Sequence, residues 1–193
     1  KTKAALKIQN DAMNDGAFDK FLDASFVNFP LRPGGVFYVC IPAGCTETQF
    51  RNAVNRTGTL LLKQCIVWVK DIFVMGRQDY QWRHESILYG WREGASHRQI
   101  KDRTQDTVWE IPRPKRSIEH PIIKPTELVM KAIRNSSKTG DLVWDGFSGS
   151  GTTLLACENL NRRCRAIELD PAYVAVSLQR FQDATGTKPE LVE

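Results

Sequence analysis

Residues 141–170, DLVWDGFSGSGTTLLACENLNRRCRAIELD, constrain the fold more than any other part of this sequence. The apolar run from Leu142 to Trp144 is too short for a helix and ends in an acid at Asp145, which predicts a buried strand. GFSGSG reads as a turn, because Gly146, Gly149 and Gly151 tolerate backbone conformations closed to other residues. TTLLACENLNRR predicts a helix with Leu154 and Leu155 toward the sheet, and CRAIELD a second strand that again ends in acids. A last helix follows in PAYVAVSLQRFQDATG, opened by Pro171 in its first turn. Strand, glycine loop, helix and strand form a right-handed crossover, the nucleotide-binding half of a doubly wound sheet.

The first half of the chain keeps the same alternation. Phe18, Phe21, Leu22 and Phe26 recur at helical spacing, so a helix is expected over about 14–29. RPGG breaks it, and VFYVCIP is a β-branched and aromatic run that reads as a buried strand. TETQFRNAVNRTG predicts a helix with Thr46 as N-cap and Gly58 as C-cap. LLLKQCIVWVK and ESILYGWR read as two more strands, with the polar and aromatic MGRQDYQWRH between them, and Pro125 starts a helix carrying Leu128, Val129 and Ile133. An α/β sheet accommodates this order. Residues 92–118 break the rhythm: they are polar, carry Arg98, Lys101, Arg103, Arg113, Lys115 and Arg116, and show no sustained period, so a loop-rich, solvated insertion is expected there.

A chain of 193 residues with 41% hydrophobic residues can bury one sizeable core, so one domain with room for a small insertion is expected. No apolar run approaches the ~18 residues of a membrane span and no signal segment opens the chain, so the expectation is no membrane partner and a cytoplasmic location. Cys40, Cys45, Cys65, Cys157 and Cys164 include no CxxC pair, which predicts reduced thiols rather than disulfides, and no metal site. A net charge of +5 is compatible with a polyanionic partner.

Spacing narrows what the glycine loop can hold. A Walker loop needs a lysine after its second glycine, and Thr152 stands there. A dinucleotide loop needs a third glycine three residues after Gly151, where this chain has Leu154. What remains is Asp145 at one strand end, Phe147 as apolar surface, glycines that admit a close ligand, and Glu168 at the next strand end, able to accept two ribose hydroxyls. Such a set suits a nucleoside with a positively charged tail rather than phosphates, and S-adenosylmethionine fits that description.

DGFSGSGTT, followed by AIELDPAYV and preceded by EHPIIKPTEL, resembles the cofactor half of the DNA amino methyltransferases that modify adenine N6 or cytosine N4. The order of blocks is similar to the family's β-class, in which the catalytic half comes first; RPGGVFYVC, CIVWVK and HESILYGW are similar to the strands after its catalytic tetrapeptide. The resemblance implies a Rossmann-like methyltransferase fold: a doubly wound, mostly parallel sheet with an antiparallel edge hairpin. It divides the chain into the C-terminal portion of a catalytic half (1–91), a short target-recognition insertion (92–118) and a cofactor half (119–193). Asp145, Phe147, Ser148, Gly149, Ser150, Gly151 and Thr152 would line the methionine and ribose of S-adenosyl-L-methionine, with Glu168 on the ribose and His120, Lys124 and Pro125 closing over the methionine end. Gly146 departs from the family, which commonly has proline there, and this should loosen the turn without removing a contact. The implied partner is double-stranded DNA, contacted through Arg98, Lys101, Arg103, Arg113, Lys115 and Arg116, and a homodimer is a further partner the family admits.

The Asp-Pro-Pro-Tyr type tetrapeptide on which the family's chemistry rests is absent from these 193 residues. An exocyclic amine has its lone pair delocalised into the ring; the acid and a prolyl carbonyl take its hydrogen bonds while the aromatic stacks on the flipped base. Asp11 lacks the prolines and reads as a helix cap. The strand that would carry the tetrapeptide belongs centrally, between the strand ending at Asp145 and the one at 35–41, so its absence would leave two unpaired edges. The expectation is therefore that the natural protein extends upstream, that no catalytic residue lies in this chain, and that alone it is inactive. The function classes left open are a site-specific methyltransferase, adenine N6 ahead of cytosine N4, and a non-catalytic remnant that only binds cofactor or DNA. Four further groups stay open between structural and functional roles: His84 with Glu85, Trp68 with Lys70, the aromatics Tyr80, Trp82 and Trp91, and the intervening Arg77, Arg83 and Arg92.

Overall fold

The computed structural model describes residues 13–114 and 123–192. Helix α1 (Asp15–Val27) starts at Asn14, whose side chain accepts from the Ala17 amide at 2.9 Å. Asn14 is thus the cap; Asp11, expected to cap this region, lies outside the described residues. Strand β1 (Val36–Ile41) leads to α2 (Glu47–Arg56). Thr46 occupies the α2 N-cap position without a side-chain bond, Thr57 is the C-cap, and Gly58 follows at φ +66°, the left-handed conformation that glycine adopts without penalty.

β2 (Leu60–Val74) and β3 (Trp82–Arg92) form a long antiparallel hairpin, and β4 (Val108–Glu110) follows. The sheet order is β1-β3-β2-β4. β3 runs antiparallel to both neighbours while β4 is parallel to β2, so three of the four strands share a direction. The hairpin is therefore internal rather than at the edge, which β4 takes. β4 adds a short strand to the loop-rich, solvated insertion expected over 92–118: Trp109 is buried against Trp68, and a strand of three residues was too brief to register from its spacing.

Side chains alternate across this sheet with period two. Phe37, Val39, Ile41 and Leu88 face α1 and α2, packing with Leu22, Phe26, Ala53 and Val54. Tyr38, Cys40, Ile87, Tyr89, Ile66 and Trp68 face the other side, with Trp109 and Leu128 of α3 (Thr126–Ser136). In β2 the inward parity switches from Leu60 and Leu62 to Cys65, because the register shifts between Leu62 and Gln64. Helices thus cover both faces, as a doubly wound sheet requires.

The C-terminal part is β5 (Leu142–Asp145), α4 (Thr152–Asn159), β6 (Arg163–Ala166) and α5 (Pro171–Thr185), with β5 and β6 parallel. α4 buries Thr152, Ala156 and Cys157, not the expected Leu154 and Leu155, which are half-buried; the small residues let the helix lie close beside Ile133 of α3. Among the described residues β1 and β5 share no hydrogen-bonded pair, and each pairs on one side only. Side chains span the division: Phe29 packs edge-on against Trp144 at 4.9 Å, Phe21 against Phe147 at 5.8 Å, and the Tyr38 hydroxyl shares a 2.7 Å hydrogen bond with Ser136. All five cysteines are free; Cys157 is buried, Cys45 is exposed and the other three are half-buried. Among the described residues no helix is long and apolar enough to cross a membrane.

Candidate functional site

The glycine loop leaves β5 at its C-terminal end, and its shape is fixed by two acids, one ending β5 and one just past β6. Asp145 accepts the Phe147 amide at 3.0 Å on Oδ1 and the Thr153 hydroxyl at 2.5 Å on Oδ2. Glu168, two residues beyond β6, accepts the Gly149 amide at 2.7 Å on Oε2 and the Asp170 amide at 2.9 Å on Oε1. The Ser148 amide bonds the Ile167 carbonyl at 3.1 Å, closing the loop onto β6. Each carboxylate oxygen has a second lone pair, so Glu168 can hold the loop and still accept from a ligand diol.

Gly149 and Gly151 sit at φ +52° and +77° for different reasons. A Cβ on Gly149 would meet nothing within 4 Å, so the loop is open to a ligand there, whereas one on Gly151 would lie 2.1 Å from the Ser177 hydroxyl of α5. Phe147 is 65% exposed and offers an apolar wall beside the opening. Gly146 has its own explanation: the Trp144 indole covers it, and a Cβ would lie 2.4 Å from that ring, so an indole on β5 and a glycine at this position go together.

Two loop contacts escaped the sequence reading. Thr153, not the buried Thr152, donates to Asp145. From α5 the Arg180 guanidinium donates to the Ser150 carbonyl and, at 2.9 Å, to the Ser150 hydroxyl. Ser177 and Arg180 stand three residues apart, hence on one face of α5, and that i, i+3 pair of polar residues in an otherwise amphipathic helix was the available signal.

Lys124 and Pro125 precede α3, and with Arg180 they line a cavity of about 490 Å³. Lys124 Nζ lies 3.0 Å from Glu85, whose other oxygen lies 2.7 Å from Lys70 Nζ. Burial pushes the Glu85 carboxyl upward, but the Lys124 and Lys70 ammoniums outweigh it and hold the group below its ordinary range. Burial disfavours the Lys124 charge, whereas Cys40, if ionised, and Glu85 favour it, with a net upward shift. Burial also pushes the Cys40 thiol up, so Glu85 is the anionic neighbour near neutral pH. Trp68 is a core residue whose indole N–H donates to the Ile111 carbonyl at 2.7 Å, while Lys70 and Glu85 are brought together at the same sheet end.

Of the six basic residues assigned to the insertion, the four that the structure describes, Arg98, Lys101, Arg103 and Arg113, do not share one face. Arg98 lines a cavity with Arg32 and Lys138, at the sheet end where β1 begins. Lys101 and Arg103 are exposed on the loop that reaches Gln105, which exchanges hydrogen bonds with Asn135 late in α3. Arg113 follows β4 at the opposite end, where its amide donates to Asp71 at 2.9 Å. His120, Lys115 and Arg116 lie outside the described residues. The aromatic set also divides: Tyr80 and Trp82 stand at the β2–β3 tip, whereas Trp91 is at the far end of β3, stacked on His97 at 3.6 Å. Among the described residues no cluster of His, Cys, Asp and Glu could hold a metal ion.

A family model described as DNA methylase, of the N6/N4 type, matches residues 16–179. The type II methyltransferase M.Cfr9I of Citrobacter freundii is 36% identical over 104 residues, which are 52% of this chain and 34% of that protein. The chain thus spans about a third of the length of such curated relatives. Among solved structures, the M1.HpyAVI–SAM complex superposes with a TM-score of 0.73 at 24% identity, covering 88% of this chain and 85% of that one. The cytosine-N4-specific PvuII DNA methyltransferase gives 0.75 at 21%, covering 94% and 77%. With its class I methyltransferase architecture and matching sequence blocks, this chain belongs to the N6/N4 DNA methylases, a family whose methyl donor is S-adenosyl-L-methionine.

Proposed function

We propose that residues 119–193 seat S-adenosyl-L-methionine and that the chain is part of a site-specific methyltransferase acting on the exocyclic amine of adenine or cytosine in double-stranded DNA. The observation that carries this reading is the Glu168–Gly149 bond beside an open loop. One carboxylate at the end of β6 fixes the backbone of the turn and retains lone pairs for a ribose diol, while Gly149 leaves space in front of it. The donor set fits the cofactor: a carboxylate for the ribose, the apolar Phe147 for its uncharged body, and an ammonium, Lys124, for its carboxylate. Bound there, S-adenosyl-L-methionine supplies an electrophilic methyl group. This chain's residues bind and orient it.

DNA approaches, in this reading, at the sheet end where β2 and β3 turn. Met75 (75% exposed) and Tyr80 (90% exposed) project there with Ile72 and Phe73, and Arg77 lies between them in the turn. Exposed apolar and aromatic side chains with a cation form a surface on which unstacked bases can lie. The Lys70–Glu85 pair lies just inside this tip, and Lys124 contacts Glu85, so the tip and the proposed cofactor seat share one end of the molecule. No Asp-Pro-Pro-Tyr type sequence occurs in the 193 residues, so methyl transfer requires a motif supplied from outside them, and the chain alone binds without turnover.

Calorimetric titration with S-adenosyl-L-methionine tests the seat, and tritiated methyl incorporation into unmethylated DNA tests transfer. Binding without incorporation by the 193-residue chain, with incorporation by a version carrying the tetrapeptide, supports the enzyme. Absence of cofactor binding sinks the reading, and binding without transfer in the longer version leaves a non-catalytic binder.

A further inference from the structure

Three charges meet at the end of the hairpin. Lys70 on β2 is nearly enclosed, with 8% side-chain exposure, and its ammonium lies 2.7 Å from Glu85 Oε1; Lys124 approaches the other oxygen at 3.0 Å. Glu85 on β3 stands opposite Trp68 in the sheet register. Both ammoniums lie over the Trp68 ring, at 5.3 and 5.7 Å from its centre, and the ring is held by its bond to the Ile111 carbonyl. The group is therefore built on fixed parts: two paired strands, a buried indole and the start of α3.

Its charges do not balance. Two ammoniums face one carboxylate, and the uncompensated charge falls on the more exposed partner, Lys124, at 39% against 8% for Lys70. Lys124 directly precedes Pro125, the N-cap of α3, where the helix dipole adds further positive potential. A ligand carboxylate placed against Lys124 would turn a two-to-one set into a two-to-two set in half-buried surroundings, where such pairs are strong.

We propose that Glu85 is a positioning residue that holds the Lys124 ammonium toward the carboxylate of the cofactor's amino-acid tail, with Lys70 fixing Glu85 from behind. This rests on the reading of the glycine loop as the seat of S-adenosyl-L-methionine. A lysine carries a long flexible stem, and an ammonium already tied to a rigid carboxylate loses less freedom when it captures a second one. Electrostatics and positioning make opposite forecasts. Glu85 repels an anionic ligand group, so removing its charge would strengthen capture if proximity of charge were all that mattered; if Glu85 aims Lys124, removal weakens capture.

The test is calorimetry on the 193-residue chain with S-adenosyl-L-methionine and with 5′-methylthioadenosine, which has the nucleoside and sulfur but no carboxylate. Glu85→Gln should weaken S-adenosyl-L-methionine about tenfold, the scale of one lost charge-assisted bond, and leave 5′-methylthioadenosine unchanged. Lys124→Met should give the same contrast, and the double variant should show no further loss. Should Glu85→Gln fail to fold with Lys70 left unpaired, Lys70→Met/Glu85→Gln removes both buried charges and is read with the same two ligands. Unchanged or tighter S-adenosyl-L-methionine binding overturns the proposal, as does an equal loss for both ligands, which would mark a purely structural role. If the unsubstituted chain binds neither ligand, the cofactor reading itself fails and this inference falls with it.

Discussion

Arg180 of α5 donates from one guanidinium nitrogen to both the carbonyl oxygen and the hydroxyl of Ser150, so the last helix grips the glycine loop from behind. The bond is made by a residue outside the loop, on a helix that also reaches the cavity beside Lys124 and Pro125. Replacing Arg180 with Met should weaken S-adenosyl-L-methionine about tenfold, or ~1.4 kcal/mol, through a looser loop. The melting temperature should move little, because among the described residues the Arg180 side chain makes no hydrogen bond beyond those to Ser150. Calorimetry and a thermal melt on the same variant check both halves; unchanged affinity would mean that the loop holds its shape without the grip.

Glu168 carries two duties, and one substitution separates them. Glu168→Gln keeps an acceptor for one backbone amide but loses charge and one of two acceptor oxygens, so affinity for S-adenosyl-L-methionine should fall by about tenfold to a hundredfold. Against an analogue lacking the 2′ and 3′ hydroxyls the same substitution should cost far less. That non-additivity, measured as a double cycle, is the sign of a direct ribose contact. Equal losses for both ligands would leave Glu168 as a loop brace only.

The cofactor half was legible in the sequence because its signals are local. Asp145, Gly149, Gly151 and Glu168 sit at fixed offsets within one strand-loop-helix-strand unit, and the structure brings Asp145 and Glu168 onto the loop between them. What was illegible is long-range. Glu85 and Lys124 are 39 positions apart and Arg180 and Ser150 are 30 apart, and no spacing rule links them. β4 was hidden because a three-residue edge strand with one buried side chain has no period to detect. The path of the basic insertion was illegible for a related reason: nothing in its spacing shows that the chain crosses the sheet from one end to the other between Arg98 and Arg113.

Gly90 on β3 is the tightest point of the sheet. A Cβ there would lie 2.0 Å from the Leu61 carbonyl oxygen and 2.7 Å from the Phe37 ring, and backbone cannot swing aside as a side chain can. Gly90→Ala should therefore destabilise by about 2 kcal/mol or more, a fall in melting temperature of roughly 4–8 °C for a chain of this size. A melt within 1 °C of the unsubstituted protein, at the scale of ~0.5 kcal/mol, would show that β1 and β2 separate more easily than their packing implies.

The Lys70–Glu85–Lys124 group sets a direction for acid sensitivity. The folded Glu85 carboxyl titrates below its ordinary value, because the two ammoniums outweigh the effect of burial. The stabilisation is thus complete above the unfolded carboxyl pKa of ~4.3 and is lost as pH falls through the lower folded value. Between pH 6 and 8 this group should contribute no slope to stability. Below about pH 4.5 the unsubstituted chain should lose stability more steeply than Lys70→Met/Glu85→Gln, which has no such carboxylate to protonate. Urea midpoints at half-unit pH steps measure the difference, and parallel acid limbs would place the acid loss elsewhere.

DNA binding offers the sharpest use of the divided basic residues. Each phosphate contact contributes about one to the slope of log affinity against log salt, whereas a stacked aromatic contributes affinity with almost no slope. At the hairpin tip, Arg77→Ala should lower that slope by about one, and Tyr80→Ala should weaken binding at an unchanged slope, by ~1–3 kcal/mol if a base stacks there. Arg98→Ala, at the sheet end where β1 begins, should change neither. Arg113 is engaged by Asp71 and should matter less than its sequence neighbourhood implied, with a slope change well under one. Salt titrations of a short duplex by anisotropy distinguish these outcomes. If Arg98→Ala lowers the slope and Arg77→Ala does not, the duplex lies across the Arg32, Arg98 and Lys138 face, and the tip of the hairpin is not where DNA enters.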